Sequence, residues 1–166
     1  MLHLSLEAIN SRSPYRLSLS GNNAFCFTTD ENMTYEVGFV EDHMLAVENA
    51  FQFFLVPKSE TNESRDTKIQ QTITSIIEEF FRNNDVLLDY ICDTGDGRQA
   101  ARNRLFSRWF SLYPLRHHYT LRTIEAMWEN TCYFASIIIR NDNPHYEEYM
   151  AAIDAFETEI RNKLSR

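Results

Sequence analysis

Two carboxylates and two guanidiniums crowd the stretch 93–102: Asp93, Asp96, Arg98 and Arg102, with Gly95 and Gly97 between them. An aspartate pair at a strand end can hold a divalent cation or act as a base, and arginines beside a helix N-terminus can clamp a phosphate. Together they would make a phosphate- or nucleotide-directed, metal-dependent enzyme, with these four residues as its catalytic candidates. The same residues also fit an architectural role. Asp96 would cap the following helix while Asp93 accepts charge-assisted hydrogen bonds from Arg98 or Arg102, locking the loop against a sheet. The lock is the preferred reading, because the spacing matches no catalytic motif.

Asp93-Thr94-Gly95-Asp96-Gly97 lacks the G-x-G-x-x-G fingerprint and the lysine of a phosphate-binding loop, and Arg104 stands where a calcium loop needs its twelfth-position Glu. Elsewhere the chain has no G-x-S-x-G elbow and no H-E-x-x-H pair, so nucleophilic and zinc hydrolase mechanisms have no motif. Cys26, Cys92 and Cys132 are widely spaced in apolar or aromatic surroundings and read as reduced core thiols. His117 and His118 are adjacent, which sends them to different faces of a helix or strand and makes them a poor metal pair. Neither a metal nor a cofactor is expected.

A second basic group follows. Arg104 and Arg108 lie one helical turn apart, with Arg116 shortly beyond, and they are the candidates for binding an anion or a partner. A solvated flank is the bland reading, and a surface for an acidic protein or a nucleic acid is the sharper one. With 24 acidic against 16 basic residues the formal charge is −8, a field that repels a phosphate backbone and disfavours nucleic acid.

The elements that must position these groups follow from pattern. Tyr15 to Ser20, Ala24 to Thr29, Thr34 to Val40 and Phe51 to Val56 read as strands of a meander, with Gly21, Asn22 and Asn23 and then Asp30, Glu31 and Asn32 as turns. Phe25, Phe27, Tyr35, Val37 and Phe39 recur at every second position, so one sheet face is buried. Lys58 to Arg65 is a polar loop ending at Asp66, the N-cap of a helix that runs to Arg82 and is stopped by Asn83 and Asn84. Ile69, Ile73, Ile76, Ile77 and Phe80 form its core stripe.

Val86 to Cys92 is an apolar strand interrupted by Asp89, and Arg98 to Tyr113 is a second helix closed by Pro114. A helical wheel sets Ala101, Leu105, Phe106, Trp109, Phe110, Leu112 and Tyr113 on its apolar half, with Arg98 and Arg102 inside that arc, and sets Gln99, Asn103, Ser107 and Ser111 opposite. From Tyr119 to Arg140 the chain reads as a hairpin turning near Glu129 and Asn130, with Trp128, Tyr133 and Phe134 as core. Asn143 as N-cap and Pro144 at the first helical position open a last helix with a stripe from Tyr146 to Leu164.

These elements make one α+β domain over 1–166, with residues 1–14 open to being a loosely ordered extension: a β-meander, then helix, strand and helix, a β-hairpin and a final amphipathic helix. No run of residues suffices to span a bilayer and the first fourteen residues lack signal-peptide features, so the expected location is the cytoplasm.

The run Tyr90-Ile91-Cys92-Asp93-Thr94-Gly95-Asp96-Gly97-Arg98-Gln99, continued by Arg102, Arg104-Leu105-Phe106 and Trp109-Phe110, resembles an uncharacterised bacterial family, mainly of Bacteroidota, of unknown function. The strands around Phe27-Thr28-Thr29-Asp30 and Tyr35-Glu36-Val37 and the helix from Thr72 to Phe81 share the resemblance, which extends from about Tyr15. It implies a bacterial cytoplasmic unit of one domain, with Asp93, Asp96, Arg98 and Arg102 at the centre of any site, and it carries no activity. The expectation is a non-catalytic protein–protein interaction or regulatory module whose partner is another protein. A homo-oligomer is open, no membrane is involved, and the metal-dependent enzyme and the nucleic-acid accessory protein are the alternatives.

Overall fold

Phe25 faces Val37 and Phe27 faces Tyr35 across neighbouring antiparallel strands, which is the register the alternating pattern demands. The computed structural model describes residues 1–59, 66–92 and 94–165. Among them the chain is α+β, with four α-helices and seven mostly antiparallel strands, and it gathers into two compact units. The first comprises residues 1–40 and 53–84, the second residues 41–52 and 85–166.

In the first unit α1 (Leu6–Asn10) precedes β1 (Ser18–Gly21), β2 (Ala24–Thr28) and β3 (Thr34–Glu41), and the outer part of β4 (Ala50–Pro57) leads towards α2 (Thr67–Arg82). The order of the strands is β1-β2-β3-β4. The β1–β2 turn is closed by Asn23 at φ 56, and β2 passes so close to β3 that a Cβ on Gly38 would stand 2.3 Å from the Asn23 carbonyl oxygen, leaving room only for glycine. Phe25, Phe27, Val37 and Phe39 are buried, as are Ile73, Ile76 and Phe80 of α2, and the Phe39 and Phe80 rings stack with centroids 4.2 Å apart. Each such side chain contributes about 1.5–3 kcal/mol by leaving water.

Asp66 caps α2 as its sequence position foretells: Oδ1 accepts from the amides of Lys68 and Ile69, while Oδ2 accepts from the Tyr15 hydroxyl at 2.5 Å. Burial, and then the hydrogen bond to Asp66, push the Tyr15 phenol up to about 12. The first fourteen residues hold α1, an element the pattern does not announce. Ser5 caps it, Ile9 is fully buried, and the buried carboxylate of Glu79 accepts from the Ser5 amide at 3.2 Å and from Arg12 at 3.1 Å.

In the second unit the inner residues of β4 pair in parallel with β5 (Leu87–Ile91), and β5 pairs antiparallel with β7 (Thr131–Arg140), which closes a hairpin with β6 (Tyr119–Trp128). The strand order is β4-β5-β7-β6. Glu129 at φ 46 and Asn130 at φ 64 form the hairpin turn, both in the left-handed region that a two-residue turn of this hand requires. Strand residues alternate between faces. One face brings Leu87, Ile124, Ile137 and Ile139 into a cluster with Tyr149 and Ile153 of α4 (Tyr146–Leu164). The other presents Tyr90 and Ser136 to α3 (Gln99–Leu112), whose Phe106 ring lies 4.8 Å from that of Tyr90.

Two expectations are corrected here. The N-cap of α4 is His145, which makes no side-chain cap bond. Asn143 instead accepts from the His145 amide at 2.8 Å and donates to the Val86 carbonyl at 3.2 Å, so Asn143 and Pro144 build the turn before the helix. Trp128 and Tyr133, near the tip of the hairpin, are exposed rather than core. Residues 60–65 of the expected polar loop lie outside the described residues. Among the described residues no helix is long and apolar enough to cross a membrane.

Candidate functional site

Glycine at position 97, with φ 70, turns the chain from the end of β5 into α3 and leaves Asp96 beside the helix entrance. There Asp96 Oδ1 accepts from the Arg98 amide at 3.1 Å and from Arg102 Nη1 at 2.8 Å, and Oδ2 accepts from Nη2. This is a bidentate pair. The two hydrogen bonds from Arg102, and then the one from the Arg98 amide, hold the Asp96 carboxyl down at about 2.

Asp96 was expected to cap α3, but the N-cap is Arg98, with no side-chain cap bond, and the Asp96 carboxylate takes Arg102 instead. The Arg102 side chain is 31% exposed and that of Asp96 46%, so the clasp sits at the surface and is screened by water. Arg98 is exposed as well. Asp93, assigned as the acceptor of the lock, lies outside the described residues.

The reason is the rotation of α3. Its inner face is partly polar: Gln99 is buried and donates Nε2 to the Cys132 carbonyl at 3.0 Å, and Asn103 Oδ1 accepts from the Ser136 hydroxyl at 3.3 Å. Phe106 is the one apolar side chain of α3 that is buried among the described residues. Because β7 offers a carbonyl and a hydroxyl at these places, amides rather than leucines face it. The outward face consequently carries Ala101, Arg104, Leu105, Arg108, Ser111 and Leu112, all exposed. Leu105 is 48% and Leu112 59% exposed. Arg116, in the 3-10 turn Arg116–His118 that follows, is exposed beside Leu115.

Sequence reasoning passed over a further feature. Asp89, noted only as an interruption of β5, is completely buried, and neither carboxyl oxygen has a hydrogen-bond donor. Burial, and then the neighbouring Asp42 carboxyl, push Asp89 up to about 9. Two carboxylates have nothing to donate to each other, whereas a protonated Asp89 can donate to Asp42. Asp42 is anchored in turn by accepting from the Met44 amide at 3.2 Å. The available signal was a lone charge in a strand whose neighbours are apolar on both faces.

Cys26, Cys92 and Cys132 are free thiols, and Cys92 is buried. Among the described residues no group of three or more His, Cys, Asp or Glu is placed to hold a metal ion.

No curated protein matches the chain. A family model does, over residues 65–157, which takes in α2, β5, α3 and the hairpin, together with most of α4; the strands around Phe27 and Tyr35 fall outside the matched part. The match spans more than half of the chain, and the chain belongs to the family of unknown function DUF6169.

Proposed function

We propose that the chain is a protein-interaction module that receives an acidic helical segment of a partner protein on the outward face of α3. The observation that carries this reading is the composition of that face: leucines at positions 105 and 112, one heptad apart and about half exposed, flanked by Arg104 and Arg108 on a chain of net charge −8. Apolar side chains at that spacing are what a second helix packs on, and arginines at the flank select an acidic one. Gln99, Asn103 and Phe106 already seat α3 on β5 and β7, so the exposed leucines are not required by the fold. Arg102, the guanidinium an anion-processing site would need, is turned onto Asp96. Free thiols suit a reducing compartment, and we place the module in the cytoplasm.

Affinity capture from host lysate tests the reading, with wild type beside Arg104→Glu/Arg108→Glu. The expected result is a partner retained by the wild type, released by salt and lost from the double variant, while both proteins melt alike. A partner indifferent to the two reversals, or none at all, overturns it.

A further inference from the structure

The chain itself carries a segment of the chemistry that the α3 face accepts. The exposed arc of α4 runs through Glu147, Glu148, Ala151, Asp154, Ala155 and Glu159. Ala151 and Ala155 are one turn apart and let another helix approach closely, and the carboxylates around them, of which Glu148, Asp154 and Glu159 also pair within the chain with His145, Arg122 and Lys163, are opposite in sign to Arg104 and Arg108. On α3 the arrangement is reversed, with bulky Leu105 and Leu112 between arginines. Bulk meets small residues and positive charge meets negative.

We propose that the occupant of the α3 face is α4 of a second copy of this chain. The inference rests on the reading of α3 as a docking face and adds the identity of what docks.

The fold fixes the kind of assembly. Within the second unit α3 covers the sheet face that carries Tyr90 and Ser136, and α4 covers the opposite face with Ile137 and Ile139. Two copies cannot satisfy both contacts around a single twofold axis when the two surfaces point away from each other. The contact is therefore head to tail, and association continues past a dimer as a ring or an open chain.

Sedimentation velocity of the full chain at rising concentration, at low and high salt, is the test. Wild type is expected to grow beyond a dimer at low salt and to dissociate at high salt. Arg104→Glu/Arg108→Glu stays monomeric, and so does Glu147→Lys/Glu148→Lys/Glu159→Lys, each with association at least tenfold weaker. Mixing the two reversed variants restores association at 1:1 stoichiometry, because each acidic surface again meets a basic one, and a misfolded variant could not be rescued in this way. Wild type that stays monomeric throughout, or reversed variants that associate as wild type does, overturns the proposal. If wild type is monomeric yet captures a partner through Arg104 and Arg108, self-association falls while the docking reading stands. If it is monomeric and captures nothing, both fall.

Discussion

Gln99 donates its side-chain amide to the backbone carbonyl of Cys132 at 3.0 Å, and this bond helps to decide which side of α3 meets water. Gln99 Oε1 is buried without a partner among the described residues, so the amide is already paying for its place in the interior. Gln99→Ala is expected to cost about 1–3 kcal/mol, since it removes a donor from a buried contact. Leu105→Ala, on the exposed side, is expected to stay within about 0.5 kcal/mol of the wild type. Urea unfolding of the two variants checks the order. If Leu105 proves the costlier residue, the rotation of α3 described above is wrong.

The Asp96–Arg102 clasp should matter little to stability at neutral pH, because both groups are partly exposed. Its sign with pH is definite. The folded carboxyl sits at about 2, below the roughly 3.9 of an unfolded aspartate, so its contribution is present above about pH 4 and is lost as pH falls towards 2. Melting curves between pH 2 and 7 should show Asp96→Asn losing part of the acid sensitivity of the wild type, with Arg102→Ala behaving like it. A collapse of Arg102→Ala at pH 7 would point to a buried pair instead.

Asp89 behaves in the opposite sense. Its folded value of about 9 lies above the unfolded one, so the stability the protein has with Asp89 protonated is full below about pH 4 and declines as pH rises towards 9. Asp89→Asn removes the titration. It should melt close to wild type at pH 4 and well above it at pH 9. Equal pH dependence of the two proteins would show that Asp89 does not share a proton with Asp42.

Glu79 ties the first residues of the chain to α2 through the Ser5 amide and Arg12. Glu79→Ala leaves Arg12 without that partner and should cost on the order of 3 kcal/mol. Hydrogen exchange at the Ile9 amide, which bonds to the Ser5 carbonyl, should accelerate with it. Unchanged exchange there would mean that other contacts hold α1.

Much of this architecture was legible in the residues. Alternation from Phe25 to Phe39 announced the meander and its buried face, Asp66 announced the start of α2, and Glu129 and Asn130 announced the hairpin turn. Each is a local signal with a local cause. What was not legible depended on a neighbour distant in sequence. The rotation of α3 is set by Cys132 and Ser136, more than thirty residues away, and a wheel drawn from α3 alone assigns its leucines inward. The burial of Asp89 without a donor likewise needs Asp42, which no spacing along the chain connects to it. At the candidate cluster Asp96 was read as a helix cap and Arg98 or Arg102 as the buried partner of Asp93, whereas the Asp96 carboxylate takes Arg102 and both groups are partly exposed.

The outward face of α3 as a docking surface is the central claim, and site-specific photo-cross-linking in host cells tests it most directly. A photoreactive residue at Leu112 should yield discrete cross-linked species, either a partner protein or a second copy of the chain. The same residue at Val56, an apolar position in the first unit that is also more than half exposed, should yield none. Cross-links from position 56 and none from position 112 would contradict the account.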